Sequence, residues 1–103
     1  MLIKTAVKEY LVEIEVRKFT RKTITSYRNN LNVFVRYCLE VAGIETMDEL
    51  TLAVVRKFTL FMSEKGKKGS YINSLLKVAK AFIQYCYDEG YGGFNTKKNF
   101  NCY

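Results

Sequence analysis

The chain has 103 residues, 49% of them apolar and 15% aromatic, with no proline; this describes one domain that can bury a genuine core and sustain long, uninterrupted helices. Its formal charge of +7 points to an anionic partner, whether DNA, RNA or an acidic membrane surface. Histidine is absent, which removes the commonest general base and the commonest metal ligand.

Residues Thr5 to Val16 are expected to form a first helix. Val7, Tyr10, Leu11 and Ile14 give its apolar face, and Lys8, Glu9, Glu13 and Glu15 point mostly outward. Those charges nearly cancel, so this helix reads as scaffold. Arg17 and Lys18 form a charged connector to the second helix.

The second helix starts at Thr20 and is expected to end near Val41. Ile24, Tyr27, Leu31, Phe34, Val35 and Cys38 recur at spacings of three and four and share one face. The Thr20 hydroxyl suits an N-cap, and Phe19 before it can staple against Ile24. Gly43 can take the left-handed position that closes the helix. The opposite face carries Lys22, Thr25, Ser26 and Asn29, and no acid lies between Thr20 and Leu39. A solvated surface accounts for such a face, and so does a nucleic-acid groove.

Glu45, Asp48 and Glu49 make the segment from Ile44 to Leu50 an acidic island, unsuited to facing phosphate. Thr51 then looks like the N-cap of a third helix running to about Lys65, with Leu52, Val55, Phe58 and Met62 inward. Val54, Leu60 and Phe61 make it apolar on nearly all sides, so it is expected to be the most central helix. Phe61 reads either as core or as an exposed ring reserved for a partner.

A basic, glycine-punctuated turn follows, Lys65 to Gly69. Ser70 is expected to cap a fourth helix with the stripe Ile72, Leu75, Leu76, Ala79, Phe82, Ile83 and Cys86. Its other face carries Asn73, Ser74, Lys77, Lys80 and Gln84, with no acid until Asp88. Gly90 can stop it. Residues 93–103 read as a linker or frayed tail after a domain of residues 1–92. Phe34 and Phe82 are expected among the most buried side chains.

The three cysteines, Cys38, Cys86 and Cys102, form no CxxC pair, and the first two fall on apolar helix faces as core residues. No Gly-rich phosphate loop or GxSxG elbow occurs. No metal, cofactor or catalytic residue is therefore expected. Without a signal-peptide pattern or an apolar run of the ~20 residues a membrane span needs, the expected setting is cytoplasmic.

Charge is concentrated. Arg21, Lys22, Arg28 and Arg36 face only Glu40 between Arg21 and Ala42, and Arg56, Lys57, Lys65, Lys67 and Lys68 face only Glu64 between Thr51 and Gly69. The starts of helices two and four thus lie beside cations, and helix N-termini attract phosphate through free N–H groups and the helix dipole.

These residues in this order resemble the N-terminal core-binding domain of the tyrosine recombinase, or phage integrase, family. The resemblance is carried by Thr20-Arg21-Lys22-Thr23, Tyr27, Leu31 and Phe34, then Leu50-Thr51 ahead of Val55 and Phe58. It continues through Ile72-Asn73 and Ala79-Lys80-Ala81-Phe82 and closes at Tyr87-Asp88-Glu89-Gly90. It covers about Thr5 to Asn95.

The resemblance implies an all-α, compact four-helix SAM-like bundle, a single domain forming half of a clamp on duplex DNA at a recombination core site. It implies that helices two and four face the major groove. Lys22, Thr23 and Ser26 match DNA-contacting positions on helix two, and Ser70, Tyr71, Asn73, Ser74 and Lys77 match those on helix four. Arg21, Lys67 and Lys68 join them on charge alone. Tyr71 departs from the smaller Thr or Ser common there, and Asn95 is followed by Thr96 where the family usually has Asn-Pro. The family's catalytic Tyr, two Arg, Lys and His or Trp belong to a second domain; none is matched here, and Tyr103 lies in no matching motif. The partners implied are double-stranded DNA, a C-terminal catalytic domain of the same polypeptide and other recombinase protomers on DNA, with no membrane. The alternative is a helical SAM-like protein–protein interaction module that does not bind DNA.

Overall fold

The computed structural model describes residues 1–99. Helix α1 spans Ile3–Val16 and buries Ile3, Ala6, Tyr10 and Ile14 at spacings of three and four. It starts two residues before the expected Thr5. The Ile3 N–H donates to the Glu45 carbonyl at 2.8 Å, and Leu2 forms an isolated bridge with Thr46, so a distant segment tethers its first turn. Lys18 closes α1 in the left-handed region (φ 61°), the one described non-glycine residue with positive φ. The Phe19 N–H then donates to the Ile14 carbonyl, completing a Schellman-type stop.

Helix α2 spans Arg21–Tyr37 and buries Leu31, Phe34, Val35 and Tyr37. Thr20 is its N-cap, accepting from the Thr23 N–H at 3.2 Å. Phe19 and Ile24 are both half-buried, and the Phe19 ring packs edge-on against Tyr27. The helix runs on through a π-helical turn, Cys38–Ala42, before Gly43 takes the left-handed conformation at φ 71°. Tyr37 and Cys38 are both buried, three and four residues beyond Phe34 on the same face.

The acidic island folds into a 3-10 turn, Met47–Glu49. The Glu49 carboxylate accepts from the Thr46 hydroxyl and from the N–H groups of Glu45 and Thr46. Those bonds, the Thr46 hydroxyl foremost, lower its pKa. The turn drives Met47 and Leu50 into the core, although nothing in the local pattern marks them as inward.

Helix α3 spans Leu52–Glu64. Thr51 occupies its N-cap position, but its side chain makes no capping bond. Val55, Phe58 and Met62 are buried and Leu52 is half-buried. The expectation that α3 is the most central helix is overturned, since Leu60 is 60% exposed.

The centre is α4, Gly69–Asp88, which packs against α1, α2 and α3. It buries Ile72, Leu75, Leu76, Val78, Ala79, Phe82, Ile83 and Cys86, so the predicted stripe is present with Val78 added. Ser70 is not its cap. The N-cap position is Lys68, two residues earlier, and no side chain caps the helix. Gly90 (φ 78°) ends α4, with the Tyr91 N–H donating to the Cys86 carbonyl at 2.8 Å.

Two aromatic groups fill the core. Tyr10 meets Phe82 edge-on and lies beside Tyr27 and Tyr85; Phe34 and Tyr37 both meet Phe58 edge-on. Phe34 and Phe82 are fully buried. The Cα radius of gyration is 12.8 Å, that of a single compact domain of this length. The architecture is all-α, four main helices with no strand among the described residues.

The described part of the expected tail is packed, not frayed. Thr96 is 1% exposed and begins a short helix, α5, Thr96–Asn99. Its N–H and hydroxyl donate to the Gln84 side-chain carbonyl at 2.8 and 2.7 Å. Gly92 is held so close to Met47 and Asp48 that a Cβ there would lie 2.8 Å from an Asp48 carboxylate oxygen. Composition alone made this segment look unstructured; long-range hydrogen bonding and close packing hold it. Cys102 and Tyr103 lie outside the described residues.

Candidate nucleic-acid interface

The polar face of α2 is a ridge with two flanks. Lys22, Ser26 and Asn29 are exposed along the ridge. On one flank Arg21, Thr25 and Arg28, at spacings of four and three, border a surface groove with Glu15, Phe19 and Ile24. On the other, Val33, Arg36 and Tyr37 turn toward the end of α3 and the start of α4. Thr23 is half-buried, and its hydroxyl accepts from that of Thr20 at 2.8 Å, so it belongs first to the helix cap.

On α4, Ser70, Tyr71, Asn73, Ser74 and Lys77 are all exposed. The Ser74 hydroxyl donates to the Ser70 carbonyl at 3.1 Å, which leaves it an acceptor toward anything outside. Asn73 has no hydrogen-bond partner among the described residues, and since the cap lies at Lys68 it has no capping duty. The uncapped first turn presents backbone N–H groups next to exposed Lys67 and Lys68. Among the described residues none of Arg21, Lys22, Lys67, Lys68 and Lys77 pairs with a carboxylate, whereas Arg17 pairs with Glu13 at 2.7 Å.

Lys67 and Tyr71 meet Arg36 and Tyr37 of α2 and Phe61 and Lys65 of α3 around one cleft of about 330 Å³. Tyr71 is 40% exposed. Phe61 is half-buried against Tyr37, and the Lys65 ammonium lies 4.6 Å from its ring centre. Arg28, Arg36 and Lys65 were missing from the sequence-derived site. The helical period could have found the first two, because Arg28 follows Arg21 and Thr25, and Arg36 follows Asn29 by seven residues.

The buried groups offer little chemistry. Burial pushes the Cys38 and Cys86 thiols up to about 12, so both stay protonated as small apolar side chains. Burial, followed by the charge on Tyr27, does the same to the Tyr10 phenol, raising it to about 12. Among the described residues no cluster of His, Cys, Asp and Glu could hold a metal, and no helix is long and apolar enough to cross a membrane.

The model of the phage integrase N-terminal SAM-like domain family matches residues 7–90. No curated protein and no solved structure matches.

Proposed function

Because the chain belongs to the N-terminal SAM-like domain family of phage integrases, which are tyrosine recombinases, we propose that it is a DNA-binding half-clamp that holds duplex DNA at a recombination site and has no strand-cleaving chemistry of its own. The observation that carries this reading is the start of α4. An uncapped helix N-terminus lies beside exposed Lys67, Lys68, Asn73 and Lys77; among the described residues none of these lysines pairs with a carboxylate, and the Asn73 side chain has no partner. Helix N–H groups and lysines suit phosphates, while an amide suits the edge of adenine, with which it pairs bidentately.

In this reading the two helices divide the work. Lys22 and Ser26 on the α2 ridge and Asn73 and Lys77 on α4 approach the major groove. Arg21, Lys67, Lys68, Ser70 and the helix start hold the backbone and set register. Thr23 supports the α2 start, Ser74 accepts, and Tyr71 stands at the margin. The partners are duplex DNA, a catalytic domain of the same polypeptide and further protomers on the DNA, in the cytoplasm.

Titration of duplex DNA against salt tests it. With three or four phosphates neutralised, log K falls with log salt at a slope of roughly −3 to −4. Asn73→Ala costs about 1–3 kcal/mol on a cognate site and little on random DNA, whereas Lys67→Ala weakens both alike and flattens the slope. A slope near zero, or chemical-shift changes gathered on residues 45–50, overturns the proposal.

A further inference from the structure

The cleft between α2, α3 and the start of α4 has a composition that duplex DNA would leave half unused. Its floor is apolar and comes from three elements: Val33, Phe61 and Tyr71. Its rim is basic, with Arg36, Lys65 and Lys67 against a single acid, Glu40. Phosphates of a duplex could meet the rim, but its stacked bases offer nothing to the floor. A single-stranded base would need an open ring face to stack on. The Lys65 ammonium lies over the face of Phe61 at 4.6 Å, and the ring also packs against Tyr37 at a separation of 5.2 Å. An aliphatic or aromatic side chain needs only apolar surface and can enter beside Tyr71, which is 40% exposed.

We propose that this cleft docks an acidic segment of a partner protein, inserting one or two bulky apolar side chains between Val33, Phe61 and Tyr71 while flanking carboxylates meet Arg36, Lys65 and Lys67. Charge complementarity selects this occupant over another copy of the chain, because the chain as a whole carries +7 and repels itself. The site is separate from the base-reading residues of the proposed DNA surface; only Lys67 and Tyr71 border both. Partner binding and DNA binding are therefore separable by mutation.

The test uses the whole chain, isotope-labelled, titrated with the capped synthetic peptide DEDLFEDE and followed by amide chemical shifts. Two control peptides replace Leu-Phe by Ser-Ser or every acid by lysine. The expected result is shifts centred on Val33, Arg36, Phe61 and Tyr71. Affinity falls at least about tenfold for either control peptide, and equally for Arg36→Glu or Lys65→Glu, since a reversed rim charge repels the carboxylates. Both positions are exposed, and an unchanged thermal midpoint verifies the fold of each variant. Lys22→Ala and Lys77→Ala, which weaken duplex binding in the reading above, leave the peptide affinity unchanged. A DNA titration that fails thus leaves this proposal standing. It is overturned by no shift up to millimolar peptide, by equal binding of the Ser-Ser peptide, by shifts centred elsewhere, or by oligothymidylate producing the same shifts at lower concentration than the peptide.

Discussion

The two ends of α4 share one buried stripe yet treat their polar faces in opposite ways. At the start, Asn73, Ser74 and Lys77 lie exposed, and the one side-chain bond formed there, Ser74 to the Ser70 carbonyl, stays within the helix. Three turns later Gln84, on nearly the same row as Asn73, is committed to the fold. Its carbonyl accepts twice from Thr96 and its amide donates to Asp88 at 3.0 Å. Tyr85 beside it packs on Tyr10 and Tyr91, and burial raises its phenol pKa. Two amides of like chemistry therefore differ in role because chain returns over one end and not over the other. An exposed, unpartnered amide has hydrogen-bonding capacity left for a ligand, whereas a satisfied one has little.

The largest effect should come from cutting the stripe that both ends share. Phe82→Ala removes a fully buried ring in contact with Tyr10 and should cost about 3–5 kcal/mol in denaturant unfolding. A loss under ~1 kcal/mol would mean that α4 is not the central helix.

A smaller effect should be confined to the covered end. Gln84→Ala strips Thr96 of the acceptor for both its N–H and its hydroxyl, and should cost about 1–3 kcal/mol. Hydrogen exchange should quicken at residues 93–97 while duplex affinity stays unchanged. If exchange there does not move, the return of the chain over α4 is held by something other than this pair.

The smallest stability effect belongs to the open end. Asn73→Ala and Lys77→Ala touch no described partner and should each shift stability by no more than about 0.5 kcal/mol. Affinity for DNA should respond instead. Destabilisation approaching that of Gln84→Ala would show that the two ends do not differ as described.

Most of the helical framework was legible without coordinates. Helices α2 and α4 are strongly periodic, Thr20 caps where a threonine before a periodic run should, and Gly43 and Gly90 adopt the positive φ that stops a helix. The candidate site was legible in part. Lys22, Ser26, Asn73 and Lys77 are exposed as the facing argument requires, but Thr23 is drawn into the cap, and Ser70 lies inside the helix it was expected to cap. The cleft could not be read, because Arg36, Phe61, Lys65 and Tyr71 come from three elements.

What the sequence determined by itself is what depends on neighbours one or two helical turns apart: where helices run, which stripe of each is apolar, and where cations gather. Those follow from a backbone repeat of 3.6 residues and from local caps, both of which act along the chain. Tertiary structure decided that α4 rather than α3 is central, that Met47 and Leu50 of an acidic segment are buried, and that residues 91–97 fold back onto the domain. Each of these depends on surfaces brought together from far apart in the chain, where burial area and long-range hydrogen bonds outweigh local composition.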